Sequence, residues 1–179
     1  MENKYKKATF SGGCFWCTEA VFERLKGVKK TVPGYTGGDK KDPSYEEVSS
    51  GTTGHAEAVQ ITYDPSEIKY EDLLYVFFKT HDPTTLNRQG NDVGTQYRSE
   101  IFYHSGEQKK EAEEMLKKLN SSGQYEDDIV TKISHIREFF PAEDYHHNYY
   151  ENNENKPYCR LVIDPKIEKL QKELKKYLK

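Results

Sequence analysis

Two thiols three positions apart, in the run Ser11-Gly12-Gly13-Cys14-Phe15-Trp16-Cys17-Thr18-Glu19, are the side chains here best suited to covalent chemistry. A thiol attacks as its thiolate, and the unpaired N–H groups at a helix N-terminus stabilise that anion. Helical spacing of Val21, Phe22 and Leu25 predicts a helix over 14–25, which places an ionised Cys14 at its mouth. The glycine pair lets the backbone turn sharply and a ligand come close. Phe15 and Trp16 add apolar surface beside the sulfur, so the expected centre is a reactive cysteine next to a small apolar pocket.

Composition sets the frame for that centre. The chain has 179 residues, long enough for one domain that buries about two-thirds of its unfolded surface. Only 34% of residues are hydrophobic and mean hydropathy is −0.99, so 14 Tyr and 8 Phe must carry much of the burial. A net charge of −3 provides no basic field to recruit nucleic acid. Met1-Glu2-Asn3-Lys4-Tyr5-Lys6-Lys7 has no apolar leader core, and no later stretch reaches membrane-spanning length. These features predict a soluble, cytoplasmic monomer with no nucleic-acid or membrane partner. Three cysteines, an odd number, point to redox or metal chemistry and away from a disulfide framework.

The elements that must position the thiols follow from periodicity. Strands are expected over 7–10, 28–35, 57–63, 101–103 and near 129–133, with helices over 14–25, 70–78 and 106–119. A long polar loop spans 82–97, where function tends to concentrate. An irregular aromatic segment runs to Tyr158, and a basic helix after Pro165 carries Ile167, Leu170, Leu174 and Leu178 on one stripe. That stripe packs on its own domain or serves as a membrane or partner surface, and the first reading is the simpler. The order β-α-β-β-α-β with additions predicts an α+β fold: a two-layer ferredoxin-like plait with a mixed, mainly antiparallel sheet, long functional loops and a C-terminal extension ending in a helix. Residues 1–179 form one domain in this reading, with a catalytic core over about 6–140 and a C-terminal segment over about 141–179.

Several ordered blocks resemble a known family. Gly12-Gly13-Cys14-Phe15-Trp16 is followed by Gly34-Tyr35-Thr36-Gly37-Gly38, Pro43-Ser44-Tyr45-Glu46-Glu47-Val48 and Gly54-His55-Ala56-Glu57-Ala58-Val59. Then come His81-Asp82-Pro83, Arg88-Gln89-Gly90-Asn91-Asp92-Val93-Gly94-Thr95-Gln96-Tyr97-Arg98-Ser99 and Tyr158-Cys159. In order and spacing they are similar to the A-type peptide methionine sulfoxide reductases. The resemblance implies that Cys14 attacks the sulfoxide sulfur and that Glu57 protonates the oxygen. It implies that Tyr45 and Tyr97 hydrogen-bond that oxygen with Asp92 in support, and that Phe15 and Trp16 hold the S-methyl group. It further implies S-epimer selectivity, a cysteine sulfenic acid, an intramolecular disulfide and regeneration by thioredoxin or a similar dithiol, with no bound cofactor. Oxidised methionine, free or in proteins, would be the substrate, and repair of oxidative damage the role.

Elementary chemistry agrees with those roles. A sulfoxide oxygen leaves poorly unless protonated, and a carboxylic acid stays neutral near pH 7 only in an apolar, partly dehydrated site. Glu57, between Ala56 and Ala58 at the start of an apolar strand, is a candidate for such a site. Tyrosines donate to the oxygen without adding charge. Plainer readings stand beside these. Glu57 could be a surface carboxylate of an edge strand, Tyr45 and Tyr97 packing residues, and Asp92 a turn residue after Gly90-Asn91. His55, His81, His146 and His147 read as structural or surface groups.

Two thiols could resolve the sulfenic acid. Cys159 lies on a tail expected to be mobile and is the first choice, with Cys17 as a direct alternative or relay. Residues three apart on a regular helix have Cβ atoms about 5–6 Å apart, whereas a disulfide needs about 3.5–4.5 Å. A Cys14–Cys17 bond therefore requires a tightened first turn. Two other functions use the same thiols: a thioredoxin-like disulfide oxidoreductase built on Cys14 and Cys17, or a structural zinc module from Cys14, Cys17, Cys159 and His146 or His147.

Overall fold

In chain order the computed structural model, which describes residues 4–179, runs β1 (Lys6–Ser11), α1 (Phe15–Phe22), β2 (Val28–Thr36), α2 (Tyr45–Ser49), β3 (Ala56–Tyr63) and α3 (Tyr70–Thr80). A minimal hairpin of β4 (Arg88–Gln89) and β5 (Asp92–Val93) comes next, then β6 (Glu100–Tyr103) and α4 (Gly106–Asn120). The chain ends with β7 (Lys132–His135), β8 (Phe140–Pro141), α5 (Tyr149–Asn152) and α6 (Asp164–Glu173). Six strands form one sheet in the order β7-β6-β1-β3-β2-β8. Its four inner strands, β6-β1-β3-β2, pair antiparallel and have the split β-α-β order of a plait, with α1 and α3 as the crossovers. β7 adds the parallel pair that makes the sheet mixed. The fold is thus the α+β plait expected, with a C-terminal helix.

β1 is the central strand, so Ala8 through Ser11 are buried. Phe10 pairs with Val59 on one side and Ile101 on the other, and its ring stacks on Phe22 of α1 at 5.4 Å and Phe77 of α3 at 4.9 Å. This one side chain ties the sheet to both crossover helices. Phe10→Ala should therefore lower unfolding free energy by about 3–5 kcal/mol, a loss read from urea denaturation.

On β3 the pleat puts Glu57, Val59, Ile61 and Tyr63 on one face, the face that Phe10 also uses through its register with Val59. Glu57 is thereby carried into the core layer at the end of the strand nearest α1. All but one residue of α1 is buried, because the helix lies between the sheet and the C-terminal segment of α5 and α6. The apolar stripe of α6 also packs inward, with Ile167 and Leu170 buried, which answers the membrane or partner alternative. α6 ends sooner than the stripe implied, and Leu178 instead bridges to Leu25. β7 starts at Lys132, later than expected, where its parallel register with β6 begins. Among the described residues, no helix is long and apolar enough to cross a membrane.

Candidate active site

Cys14 is the residue that caps α1, with extended backbone (φ −63°, ψ 132°). The chain enters it through Gly13, whose φ of +92° suits glycine and whose added Cβ would lie 2.8 Å from Gln89 Cγ. Cys14 is only 7% exposed. Glu57, 1% exposed, reaches the same helix end and accepts the Phe15 N–H through Oε1 at 3.2 Å. The carboxyl group thus takes one of the helix's free donors, leaving the Trp16 N–H to favour the Cys14 anion. Burial, then the charge of Glu57, push the Cys14 thiol well above its usual value. The expected resting thiolate is corrected accordingly: dehydration outweighs the helix N-terminus, and Cys14 waits as a thiol.

Burial likewise pushes Glu57 up to about 8, assisted by Asp92 and opposed by the Phe15 N–H and the Cys14 thiol. The acid is neutral at pH 7, and its Oε2 is buried without a hydrogen-bond partner. Tyr45 and Tyr97 are half-buried, and both are pushed upward chiefly by burial and then by Glu57, with Cys14 a lesser cause. Both phenols therefore stay protonated beside the acid and the sulfur. Tyr45 is held by α2, whose capping box pairs Ser44 Oγ with the Glu47 N–H and Glu47 Oε1 with the Ser44 N–H. Its own N–H donates to Glu143 Oε2 at 2.9 Å. Tyr97 closes a 3-10 turn and its carbonyl accepts the Gly13 N–H at 3.2 Å. Asp92 is placed by the β4–β5 hairpin and accepts from the Tyr158 hydroxyl at 2.7 Å.

Phe15 is fully buried against Tyr35 and His146, while Trp16 lies at the rim. The indole stacks on Tyr149 at 3.7 Å, meets Tyr158 edge-on and donates Nε1–H to His146 Nδ1 at 3.0 Å. His146 is fully buried and burial holds it in the neutral form, so it works as a rigid acceptor. The sequence reading placed His146 among structural groups and left Tyr149 unassigned. Their only signal was their position in the aromatic segment, close to α1 in space but more than 120 residues away in sequence.

The three cysteines are free and buried. Cys17, 3% exposed, donates its N–H to the Cys14 carbonyl at 3.1 Å while Thr18 N–H reaches the same carbonyl at 3.4 Å. This i−3 contact is the tightened first turn that a Cys14–Cys17 bond requires. Cys159 is fully buried in a π-helical turn, Cys159–Ile163, where a mobile tail was expected. The cause is packing: Cys159 and Ile163 belong to the main apolar core. Among the described residues no group of three or more His, Cys, Asp or Glu is arranged to hold a metal.

The model for the peptide methionine sulfoxide reductase family matches residues 6–178. A peptide methionine sulfoxide reductase of Sulfolobus acidocaldarius is 59% identical over 92% of this chain and 93% of its own length. Reduced Mxr1 from Saccharomyces cerevisiae superposes with a TM-score of 0.80 at 37% identity, covering 87% of this chain and 90% of that one. The same yeast protein in complex with Trx2 matches with a TM-score of 0.57 at 27% identity, over 80% of this chain and 85% of that one. With nearly its whole length accounted for in this way, the chain belongs to the peptide methionine sulfoxide reductase family.

Proposed function

We propose that this protein reduces the S epimer of methionine sulfoxide, free or in proteins, at Cys14, with Glu57 as general acid and a thioredoxin-like dithiol as final reductant. The observation that carries the reading is the buried, neutral Glu57, whose Oε2 is free of protein partners and whose carboxyl and the Cys14 thiol act on one another. The Cys14 sulfur attacks the sulfoxide sulfur while Glu57 gives its proton to the oxygen. The thiol proton replaces the one that Glu57 donates. The oxygen passes to Cys14 as a sulfenic acid and the thioether leaves. Tyr45 and Tyr97 steady the oxygen as neutral donors, Asp92 orders the mouth through Tyr158, and Phe15 with Trp16 holds the methyl group.

Cys17 then condenses with the sulfenic acid, and Cys159 follows as second resolver. The sequence alone favoured Cys159 first. Two observations support the other order: the tightened turn between Cys14 and Cys17, and the full burial of Cys159 in the π-helical turn. Incubating the reduced protein with resolved epimers tests the whole reading. The S epimer should yield one methionine for each pair of thiols lost and the R epimer none. Methionine formation that survives alkylation of Cys14 would sink it.

A further inference from the structure

Cys17 has neighbours that Cys14 does not share. With Gly12, Phe77, Thr80, His81 and Lys166 it lines an internal cavity of about 10 Å³, no larger than a single water. Lys166 is half-buried in the first turn of α6 and also lines an outer groove of about 600 Å³ with Lys79, Asp82 and Lys169. Its side chain therefore lines both the outer groove and the Cys17 cavity. Its one hydrogen bond is to the Thr80 carbonyl at 3.1 Å, and among the described residues it forms no ion pair. Part of its work is to cap the last carbonyl of α3. That leaves a cation without an ion-pair partner among the described residues lining the same cavity as a buried thiol, with Asp82, Glu126 and Asp127 lining the outer groove.

We propose that Lys166 is a positioning residue for disulfide formation, readying Cys17 to attack the sulfenic acid of Cys14. The idea rests on Cys17 being the first resolver. In the step, the Cys17 sulfur attacks the Cys14 sulfur, the S–S bond forms and the Cys14 S–O bond breaks. The oxygen leaves as water, taking one proton from the sulfenic hydroxyl and one from the Cys17 thiol. Cys17 is oxidised and Cys14 reduced, so no further reagent is needed.

The groups facing Cys17 come from several elements. Burial raises its thiol most, and Lys166 is the largest opposing influence, followed by the Tyr158 hydroxyl at 3.7 Å. Asp92 from the hairpin and Cys159 from the π-helical turn oppose ionisation, and Cys14 on the same helix is a neutral thiol. His81, pushed down to about 3 mainly by burial, is neutral at working pH. Lys166 is thus the only cation among the side chains that line the cavity.

The test uses the Cys14→Ser, Cys159→Ser protein, in which Cys17 is the single thiol. The pH dependence of its reaction with methyl methanethiosulfonate is compared with Lys166→Met and Lys166→Arg added. Lys166→Met should move the midpoint up by about one pH unit, slowing reaction near neutrality roughly tenfold, and Lys166→Arg should largely restore it. The Cys14–Cys17 bond formed in a Cys159→Ser background after one equivalent of sulfoxide should show the same shift. A midpoint unmoved by Lys166→Met, or equal slowing in both variants alongside equal falls in Tm, would mean helix capping alone and overturn the role of Lys166. A Cys17→Ser protein that forms its Cys14–Cys159 bond at the unsubstituted rate would overturn the resolving order, whatever the thiol titration shows.

Discussion

Glu57→Gln is expected to slow methionine formation by about 10²–10⁴-fold, the usual range for a lost general acid, while leaving a folded protein more resistant to urea at pH 7. Both effects have one origin. Burial raises the carboxyl from 4.5 to about 8 because its charged form cannot be solvated. Between those values the folded chain keeps a proton that the unfolded chain releases. The unfolded state binds fewer protons in that window, so stability falls as pH rises from 4.5 toward 8 and then levels off. At pH 7 the cost is on the order of 3 kcal/mol. Glutamine stays neutral at every pH and removes that cost, less whatever its buried amide loses for want of a partner. Urea midpoints of parent and variant should therefore nearly coincide at pH 4.5 and separate toward pH 8, with the variant higher. An unchanged single-turnover rate would remove Glu57 from the chemistry, and midpoints that run parallel across this range would remove it from the buried, neutral state.

Much of this arrangement was legible as local pattern. The alternation of β3 carries Glu57 to the face of Val59 and Ile61, and the glycine pair before Cys14 marks the turn into α1. α2 also has a local signature: Ser44 and Glu47 have the spacing of a capping box, and they fix Tyr45 at the first helical position. Other features depend on contacts that no local window contains. The protonation of Cys14 is decided chiefly by its burial and then by Glu57, 43 residues on in the numbering. The Trp16–His146 hydrogen bond and the Trp16–Tyr149 stack join opposite ends of the chain. From the sequence, Cys159 at the end of Asn155-Lys156-Pro157-Tyr158-Cys159 reads as part of a mobile tail. Only the packed core shows that its own side chain and Ile163 face inward.

The same contrast decides the second large effect. Cys17→Ser should yield a single methionine per chain and then stall, leaving Cys14 as a sulfenic acid that dimedone traps. Cys159→Ser should instead proceed to a Cys14–Cys17 disulfide. Cys17 lies one tightened turn from Cys14 at the same helix end, so no element has to leave its place for the two to meet. Cys159 must leave a fully buried place in the π-helical turn and expose core surface before its sulfur reaches Cys14. Removing a buried side chain of this size from the core opposes that route by about 1–2 kcal/mol at the least, a five- to thirtyfold disadvantage before any strain is counted. A bond between residues three apart remains strained and easily reduced, which suits a disulfide made to be handed on. Non-reducing peptide maps of each variant after one equivalent of substrate distinguish the routes. If Cys17→Ser closes a Cys14–Cys159 bond without delay, the C-terminal turn opens far more readily than its burial implies.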